Sequence, residues 1–503
     1  MARHVLHGEL PAFFWGQAFK GVPEVYAAAG VFALFGSSVT ALKSVTLAFF
    51  AAFVALNFVL IDKLAGRWMA VATSLLLIGG PPALVFWSLD ASAEYVLIML
   101  LGTGFLLLCL RWEAARRDEG RGEREERLLV AIGVVVGLGF WVHQIFAFYL
   151  LPAIVIFTFQ SEWWKRRAFG TARFPAVALG TVATIYLTLA VFAFFTGGFS
   201  VQSGSMTVGA RAPQKLLRIA VAVAAVALLF HLIANVSRDV FRQRARRYGP
   251  LAAGFVAGYL PVILYSVLVE PARSPSRVGD IRHLMKAVPD IYGNVIPILA
   301  GFKLATTERL DIPLAAAAMI VAALVTYVET IRHRLAGLLR LRPSPPTLAE
   351  DFFPLFLIVV PALFIVSGAY IDTQSYRYLV PCYAGLAVAL AAGSVALAKG
   401  DRNIASVFVG MLLIVFGLQQ FVWYQKLTPD TESRRMLDCL ARDGIRGGDA
   451  DYWTSYKLTF LSKEAIILAP SNGVDRYPAY TEFVRALPED QRVTKLPDCV
   501  VSP

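Results

Sequence analysis

Gly8-Glu9-Leu10-Pro11-Ala12-Phe13-Phe14-Trp15-Gly16-Gln17-Ala18-Phe19-Lys20-Gly21-Val22-Pro23-Glu24-Val25-Tyr26 is aromatic, turn-rich and acidic, while nearly everything after it is apolar. Trp, Phe and Tyr favour the headgroup region of a bilayer, where an apolar ring and a polar tip are both satisfied. Gly and Pro interrupt the stretch well before the roughly 20 apolar residues that a span requires. It therefore reads as an interfacial platform that brings two carboxylates, Glu9 and Glu24, to the lip of a membrane.

Working outward, 57% of the chain is hydrophobic and only 16% charged, with a mean hydropathy of +0.62. That is more apolar surface than a soluble core can hide, which places the chain among polytopic membrane proteins. The net charge of +12 raises the question of nucleic acid, but the arginines lie in short blocks between apolar runs, as in cytoplasmic loops. Residues 1–23 lack the continuous apolar core of a cleavable signal peptide. Cys109 and Cys382 fall in apolar runs and serve as small packing residues. Cys439 and Cys499 both fall in the polar C-terminal segment and could pair in an oxidising compartment, although spacing alone does not place their Cβ atoms.

Apolar runs of spanning length fall at 38–61, 68–86, 94–111, 174–197, 216–236, 249–269, 313–331, 352–370, 378–398 and 404–423. Residues 128–159 form a further block, too long for one span and interrupted by Trp141-Val142-His143-Gln144, so two short helices are expected to meet there. The expectation is an all-α polytopic membrane protein of twelve helices. Lys/Arg clusters recur at every second loop: Lys63 and Arg67, Arg111 to Arg127, Lys165 to Arg173, Arg238 to Arg247, Arg332 to Arg342, and Lys399 with Arg402. The positive-inside rule makes these loops cytoplasmic. Both termini, Asp90, His143, the loops 198–215 and 270–312, and Asp372 to Arg377 then face the other side of a plasma (inner) membrane. Three regions follow: residues 1–37 as an extracytoplasmic amphipathic first loop, 38–423 as the transmembrane domain, and 424–503 as an extracytoplasmic C-terminal domain. In this last region Ala465-Ile466-Ile467-Leu468-Ala469 after Tyr456-Lys457-Leu458-Thr459-Phe460-Leu461 suggests a small α/β module. The 112–127 loop balances six acids against five arginines and reads as a solvated helical extension. Pro343-Ser344-Pro345-Pro346 reads as a cytoplasmic linker.

Carboxylates at such a lip can deprotonate an acceptor hydroxyl or hold a divalent metal, because partial burial tunes their pKa while substrate enters from water. Glu9 and Glu24 fit that role or the plainer one of solvated helix-end acids; Pro23 fixes a helix start and puts Glu24 in its first turn. Trp87-Ser88-Leu89-Asp90-Ala91-Ser92-Ala93-Glu94-Tyr95 is a second outward acidic turn with no Lys or Arg nearby in sequence. Asp90 and Glu94 are available to a cation, a metal or a sugar hydroxyl, with helix capping the competing account for Asp90. His143 and Gln144 sit at the break between two apolar helices, where a polar pair is expensive unless partnered. Arg377, at the outer entrance of a span, suits a lipid phosphate or ordinary snorkelling to headgroups. No P-loop, Rossmann glycine fingerprint or Cys/His zinc pattern is present. Chemistry outside the membrane would then draw on an already activated substrate.

His7-Gly8-Glu9-Leu10-Pro11, Phe14-Trp15-Gly16-Gln17, Gly21-Val22-Pro23-Glu24 and Leu34-Phe35-Gly36-Ser37 together resemble the first external loop of the GT-C superfamily, specifically the protein O-mannosyltransferase and aminoarabinose-transferase-like membrane glycosyltransferases. Trp87-Ser88-Leu89, Gly137-Leu138-Gly139-Phe140-Trp141-Val142-His143-Gln144, Tyr149-Leu150-Leu151-Pro152, Arg377-Tyr378-Leu379-Val380-Pro381 and Asp451-Tyr452-Trp453 extend the likeness over nearly the whole chain. The resemblance implies a GT-C fold, a polyprenyl-phosphate-linked sugar as donor, and transfer to a glycan, lipid or protein acceptor outside the cytoplasm. Relatives carry a first transmembrane helix and a catalytic Asp just before the segment matching Arg3 to Gly8, so a thirteenth helix and that Asp are expected upstream of Met1. Glu24, with Glu9, would orient the acceptor or a divalent ion beside it. Asp90, Glu94, His143 and Gln17 would line the same cavity, and Arg377 with Lys303 would bind the donor phosphate. Tyr452, Trp453 and Tyr456 would cover the cavity or form the core of the C-terminal domain. A flippase of lipid-linked saccharide is the rival class, but it should show paired Gly/Pro-broken helices in two halves, and the sequence shows no convincing pair. A catalytically inactive relative is a third reading if the short start is genuine.

Overall fold

The computed structural model describes residues 1–92, 94–117, 122–160, 199–203, 206–210, 223, 238–269, 287–303, 312–339, 347–366 and 370–494. The spans expected at 174–197 and 216–236, the Pro343–Pro346 linker and Cys499 lie outside these residues, apart from Val223. Among the described helices, six are long and apolar enough to cross a membrane, or eight if each of two bent pairs counts as one span.

The chain opens with α1 (Ala2–Leu6), a short hairpin of β1 (Phe13–Phe14) and β2 (Gln17–Gly21), and α2 (Pro23–Phe35). Ser38 then caps α3 (Val39–Ala65) by accepting from Ala41 N at 3.1 Å. The expected single span at 68–86 is instead two helices, α4 (Arg67–Ile78) and α5 (Pro82–Leu89), bent by 76°. Gly79-Gly80-Pro81-Pro82 explains the bend, because the prolines withdraw backbone donors and cannot continue the helix. The span expected at 378–398 breaks in the same way: a 3-10 helix at Thr373–Leu379 meets a helix at Cys382–Leu397 at 76°, with Pro381 in the joint.

α6 (Glu94–Arg117) and α7 (Gly122–Val142) extend the expected spans into the 112–127 region from either end, as far as its described residues go. Glu125 holds that extension by accepting from Trp112 Nε1 at 3.3 Å and pairing with Arg247 at 2.8 Å. α7 stops at His143, and α8 (Ala147–Gln160) resumes after a 3-10 turn. Neither arm is among the six clear spans: α7 carries charges through its first turns and α8 has only 14 residues.

α7 crosses α9 (Arg238–Leu268) through paired glycines. A Cβ on Gly133 or Gly137 would lie 2.1 Å from Leu251 O or 2.4 Å from Phe255 O, and on Gly254 or Gly258 2.1 Å from Val130 O or 2.2 Å from Val134 O. Lipid offers no hydrophobic drive for helices to associate, so close backbone approach at small residues supplies the packing.

Later come α10 (Ile296–Leu299), entered through a π turn at Ile291–Val295, then α11 (Leu314–Leu339), α12 (Leu348–Val366), α13 (Cys382–Leu397) and α14 (Arg402–Gln425). α14 satisfies backbone at two chain breaks: Gln420 Nε2 donates to Gly80 O at 2.5 Å and Gln419 Nε2 to Gly301 O at 2.6 Å. Beyond it, α15 (Thr431–Arg442), α16 (Tyr452–Leu461) and α17 (Pro478–Ala486) accompany a three-stranded parallel sheet. Its strands at Gly447–Ala450, Ile467–Pro470 and Arg492–Val493 place the first in the centre. Leu440, Ala450, Leu458, Ile466 and Leu468 form its core. Cys439 is disulfide-bonded, whereas Cys109 and Cys382 are free and buried.

Gly137→Leu will lower the thermal midpoint of the purified protein in detergent or abolish its folding. Overpacking costs about 1–3 kcal/mol even where side chains can give, and here the obstruction is backbone. Gly104→Ala, where a Cβ meets nothing within 4 Å, will hold or raise the midpoint in the same assay.

Candidate functional site

The β1–β2 hairpin turns at Trp15-Gly16, with Gly16 at φ +61, a left-handed conformation that glycine adopts without strain. Strands of two and five residues are marginal by themselves, so docking decides their place. Trp141 Nε1 donates to Ala12 O at 2.7 Å. At Gly21 a Cβ would lie 2.2 Å from Trp141 O, so the strand end presses directly on the end of α7. Phe13 meets Tyr265 edge-on with ring centroids 4.9 Å apart.

This docking delivers Lys20 to Glu94, which is 1% exposed at the head of α6, and the two form an ion pair. Glu94, expected to lack a neighbouring cation, is therefore neutralised by one brought from far away in the sequence. Around the pair, Tyr95 lies between Trp87 at 5.1 Å, Tyr378 at 6.0 Å and His143 at 6.5 Å, measured between ring centroids. The Arg377 guanidinium sits 5.0 Å from the Tyr378 ring centroid and beside Tyr95. His143 Nδ1 accepts from Ile145 N at 3.1 Å, capping the turn at the α7–α8 break, and the ring lies in the neighbourhood of the Lys20 ammonium. Four sequence motifs thus meet at one cluster.

Glu24, 5% exposed in the first turn of α2, lines a neighbouring cavity of about 180 Å³ with Arg3, Phe14, Phe32, Thr46 and Phe460. The Phe14 ring is a wall shared by both sites, since Lys20 Nζ lies 5.4 Å from its centroid. Asp90 contributes through its backbone: its carbonyl accepts from Thr46 Oγ1 at 2.7 Å, and Ala91 lines the cavity.

Glu9 and Gln17 lie elsewhere, against the C-terminal unit. Glu9 pairs with His4 Nδ1 at 2.6 Å and accepts from Tyr477 Oη at 3.1 Å. Trp15 stacks on Tyr477 with centroids 3.9 Å apart, and Arg3 pairs with Glu464 at 3.0 Å. Burial works to raise the Glu9 pKa, but the His4 and Tyr477 hydrogen bonds outweigh it and hold the carboxyl below its usual 4.5. Gln17, with its amide oxygen turned inward, accepts from Arg476 at 2.9 and 3.1 Å. Lys303 donates to Gly293 O at 3.1 Å and Asn294 Oδ1 at 2.8 Å, tied to the π turn. Tyr452 and Tyr456 are half-buried and bonded to Arg476, while Trp453 is 79% exposed and so is not core. Among the described residues no group of three His, Cys, Asp or Glu side chains is placed to hold a metal.

Sequence reading passed over Lys20, Tyr95, Tyr378 and Arg476. A single cation inside an aromatic, acidic platform was the available signal for Lys20, and Tyr95 and Tyr378 directly follow Glu94 and Arg377.

No protein-family model and no curated protein matches the chain. Among solved structures it is similar to the Archaeoglobus fulgidus oligosaccharyltransferase complexed with zinc and sulfate, at a TM-score of 0.47 and 13% identity over 93% of this chain and 57% of that one. It is also similar to the archaeal oligosaccharyltransferase AglB from Archaeoglobus fulgidus with an inhibitory peptide and a dolichol-phosphate, at a TM-score of 0.46 and 15% identity over 93% and 59%. The chain thus spans less than two thirds of the length of either.

A depressed carboxyl pKa contributes stability that is complete above the ordinary carboxylate range and is lost as pH falls through the lower folded value. Acidification through that range will therefore loosen the Glu9 contacts and increase hydrogen exchange at residues 4–15. In Glu9→Gln the exchange rates of that segment will no longer follow this titration.

Proposed function

We propose that the chain is a GT-C membrane glycosyltransferase, moving one sugar from a polyprenyl-phosphate-linked donor to an acceptor hydroxyl on the extracytoplasmic face. One observation carries the reading: the cavity that holds the buried acid Glu24 shares Phe14 with the Lys20–Glu94 pair, and Arg377 lies in the aromatic cluster that follows Glu94. The alternation of Lys/Arg loops supports the orientation.

In this reading the donor phosphate lies against Lys20 and Arg377. Arg377 offers paired donors to phosphate oxygens, and Lys20 adds a point charge shared with Glu94. As the bond between the anomeric carbon and the phosphate oxygen breaks, the electron pair leaves with the polyprenyl phosphate. Fixed cations stabilise that growing charge without reorganising. The acceptor oxygen forms the new bond to the anomeric carbon and its proton passes to the departing phosphate, while Glu24 orients that hydroxyl from the cavity. Lys303 has a third N–H beyond its two partners and is a further donor-phosphate candidate. The exposed face of Trp453 suits a sugar ring at the acceptor side.

The test is transfer from a panel of radiolabelled polyprenyl-phosphate sugars by the purified full-length protein in lipid nanodiscs. Glu24→Gln will lower kcat roughly ten- to hundredfold, the worth of one hydrogen bond to a charged group. Arg377→Ala will raise the donor KM. Unchanged rates in both variants reject these roles, and movement of label across the bilayer without a new glycosidic bond rejects the enzyme.

A further inference from the structure

We infer that Arg476, on the loop leading into α17, is a positioning residue for Lys20, so that the C-terminal unit forms part of the donor-phosphate site. The inference rests on the donor reading above.

The loop is built before it meets the hairpin. Asp475 accepts from Tyr477 N at 3.1 Å, Thr481 Oγ1 at 2.7 Å and Tyr456 Oη at 3.4 Å, and Arg476 N donates to Tyr456 Oη at 2.7 Å. Arg476 Nε donates to Tyr452 Oη at 3.1 Å, fixing the guanidinium plane on α16. The remaining fork points at the hairpin turn: Nη1 donates to Gly16 O at 2.9 Å, and Gln17 accepts from both terminal nitrogens. A Cβ on Gly16 would lie 3.1 Å from Arg476 Cδ and 3.3 Å from its Cα, so turn and loop are in direct contact.

The hairpin is thereby gripped at two ends, by Trp141 at Gly21 and by Arg476 at Gly16 and Gln17. Lys20 lies between the grips, on a strand whose own ladder partner has two residues. Released at the turn, that strand can pivot about Gly21 and carry the ammonium away from Glu94. The consequence is specific: losing Arg476 weakens phosphate binding and leaves the acceptor-side acid in place.

The probe is polyprenyl monophosphate, the proposed leaving group, titrated onto the full-length protein in nanodiscs. Arg476→Ala will weaken its binding roughly five- to tenfold, the scale of one ordinary net hydrogen bond because Arg476 acts on the phosphate only through Lys20, and raise donor KM at unchanged kcat. Arg476→Lys will restore most of the affinity, because one N–H still reaches Gly16 O. Gly16→Ala attacks the contact from the other side, leaves the C-terminal unit untouched, and will reproduce the loss. Equal affinity in wild type, Arg476→Ala and Gly16→Ala overturns the inference. Hydrogen exchange at residues 13–21 supplies a readout that needs no donor: it will rise in both variants. If wild type itself fails to bind polyprenyl monophosphate, the donor reading falls, and the exchange data alone decide whether Arg476 holds the hairpin, an unchanged rate rejecting that too.

Discussion

A carboxylate buried at the head of an apolar helix must be paired, and the Lys20–Glu94 ion pair meets that demand. Removing one partner of such a pair costs about 3–5 kcal/mol, because the other charge is left buried alone. The platform is therefore not free to choose its position. Lys20 reaches Glu94 only if the hairpin presses on Trp141, and it presses there only because position 21 has no side chain. Local sequence, a close backbone approach and a long-range charge pair enforce one geometry, and the aromatic cluster of Tyr95, Tyr378 and His143 is assembled around it.

The two bends serve the same place. The break at Gly79 to Pro82 turns α5 away from α4 and sets Trp87 against Tyr95 and Tyr376. The break near Pro381 lays the Thr373–Leu379 turn across the end of its helix, which presents Arg377 and Tyr378 to the cluster. Irregular backbone at membrane depth is tolerated only where its polar groups are satisfied inside the protein. Gln420 at Gly80 provides that at the first bend, and Gln419 does so at Gly301. Gln420 on the apolar helix α14 thus supports the first of the two bends on which the site depends.

The helical character and the break at His143 were legible because apolar runs and their polar interruptions are local signals. The bends were less so: hydropathy averages across Pro81-Pro82 and Pro381 and reads one span where the backbone makes two pieces. The site was legible as a set of motifs but not as a constellation. Glu94 looked unpaired because its cation lies in the first hairpin. Glu9 and Glu24 were expected at one cavity because both are acids of one platform; His4 and Tyr477 engage the first, while the second lines a cavity. Partners distant in sequence leave no mark on local composition.

The division between those two acids has a consequence for coupling. Glu9 belongs to the set of contacts joining the platform to the C-terminal unit, whereas Glu24 follows the hairpin through Val22 and Pro23 onto α2. Phe14 and Lys20 ride on the same hairpin, one walling the Glu24 cavity and the other pairing with Glu94. Release of the hairpin turn therefore moves Lys20, while Glu24 stays on α2 beyond the Gly21–Trp141 contact. On the proposed chemistry, one docking brings donor and acceptor sites into register, and the turn governs the donor side. That the turn is held by Arg476 makes the C-terminal unit a structural participant in donor binding.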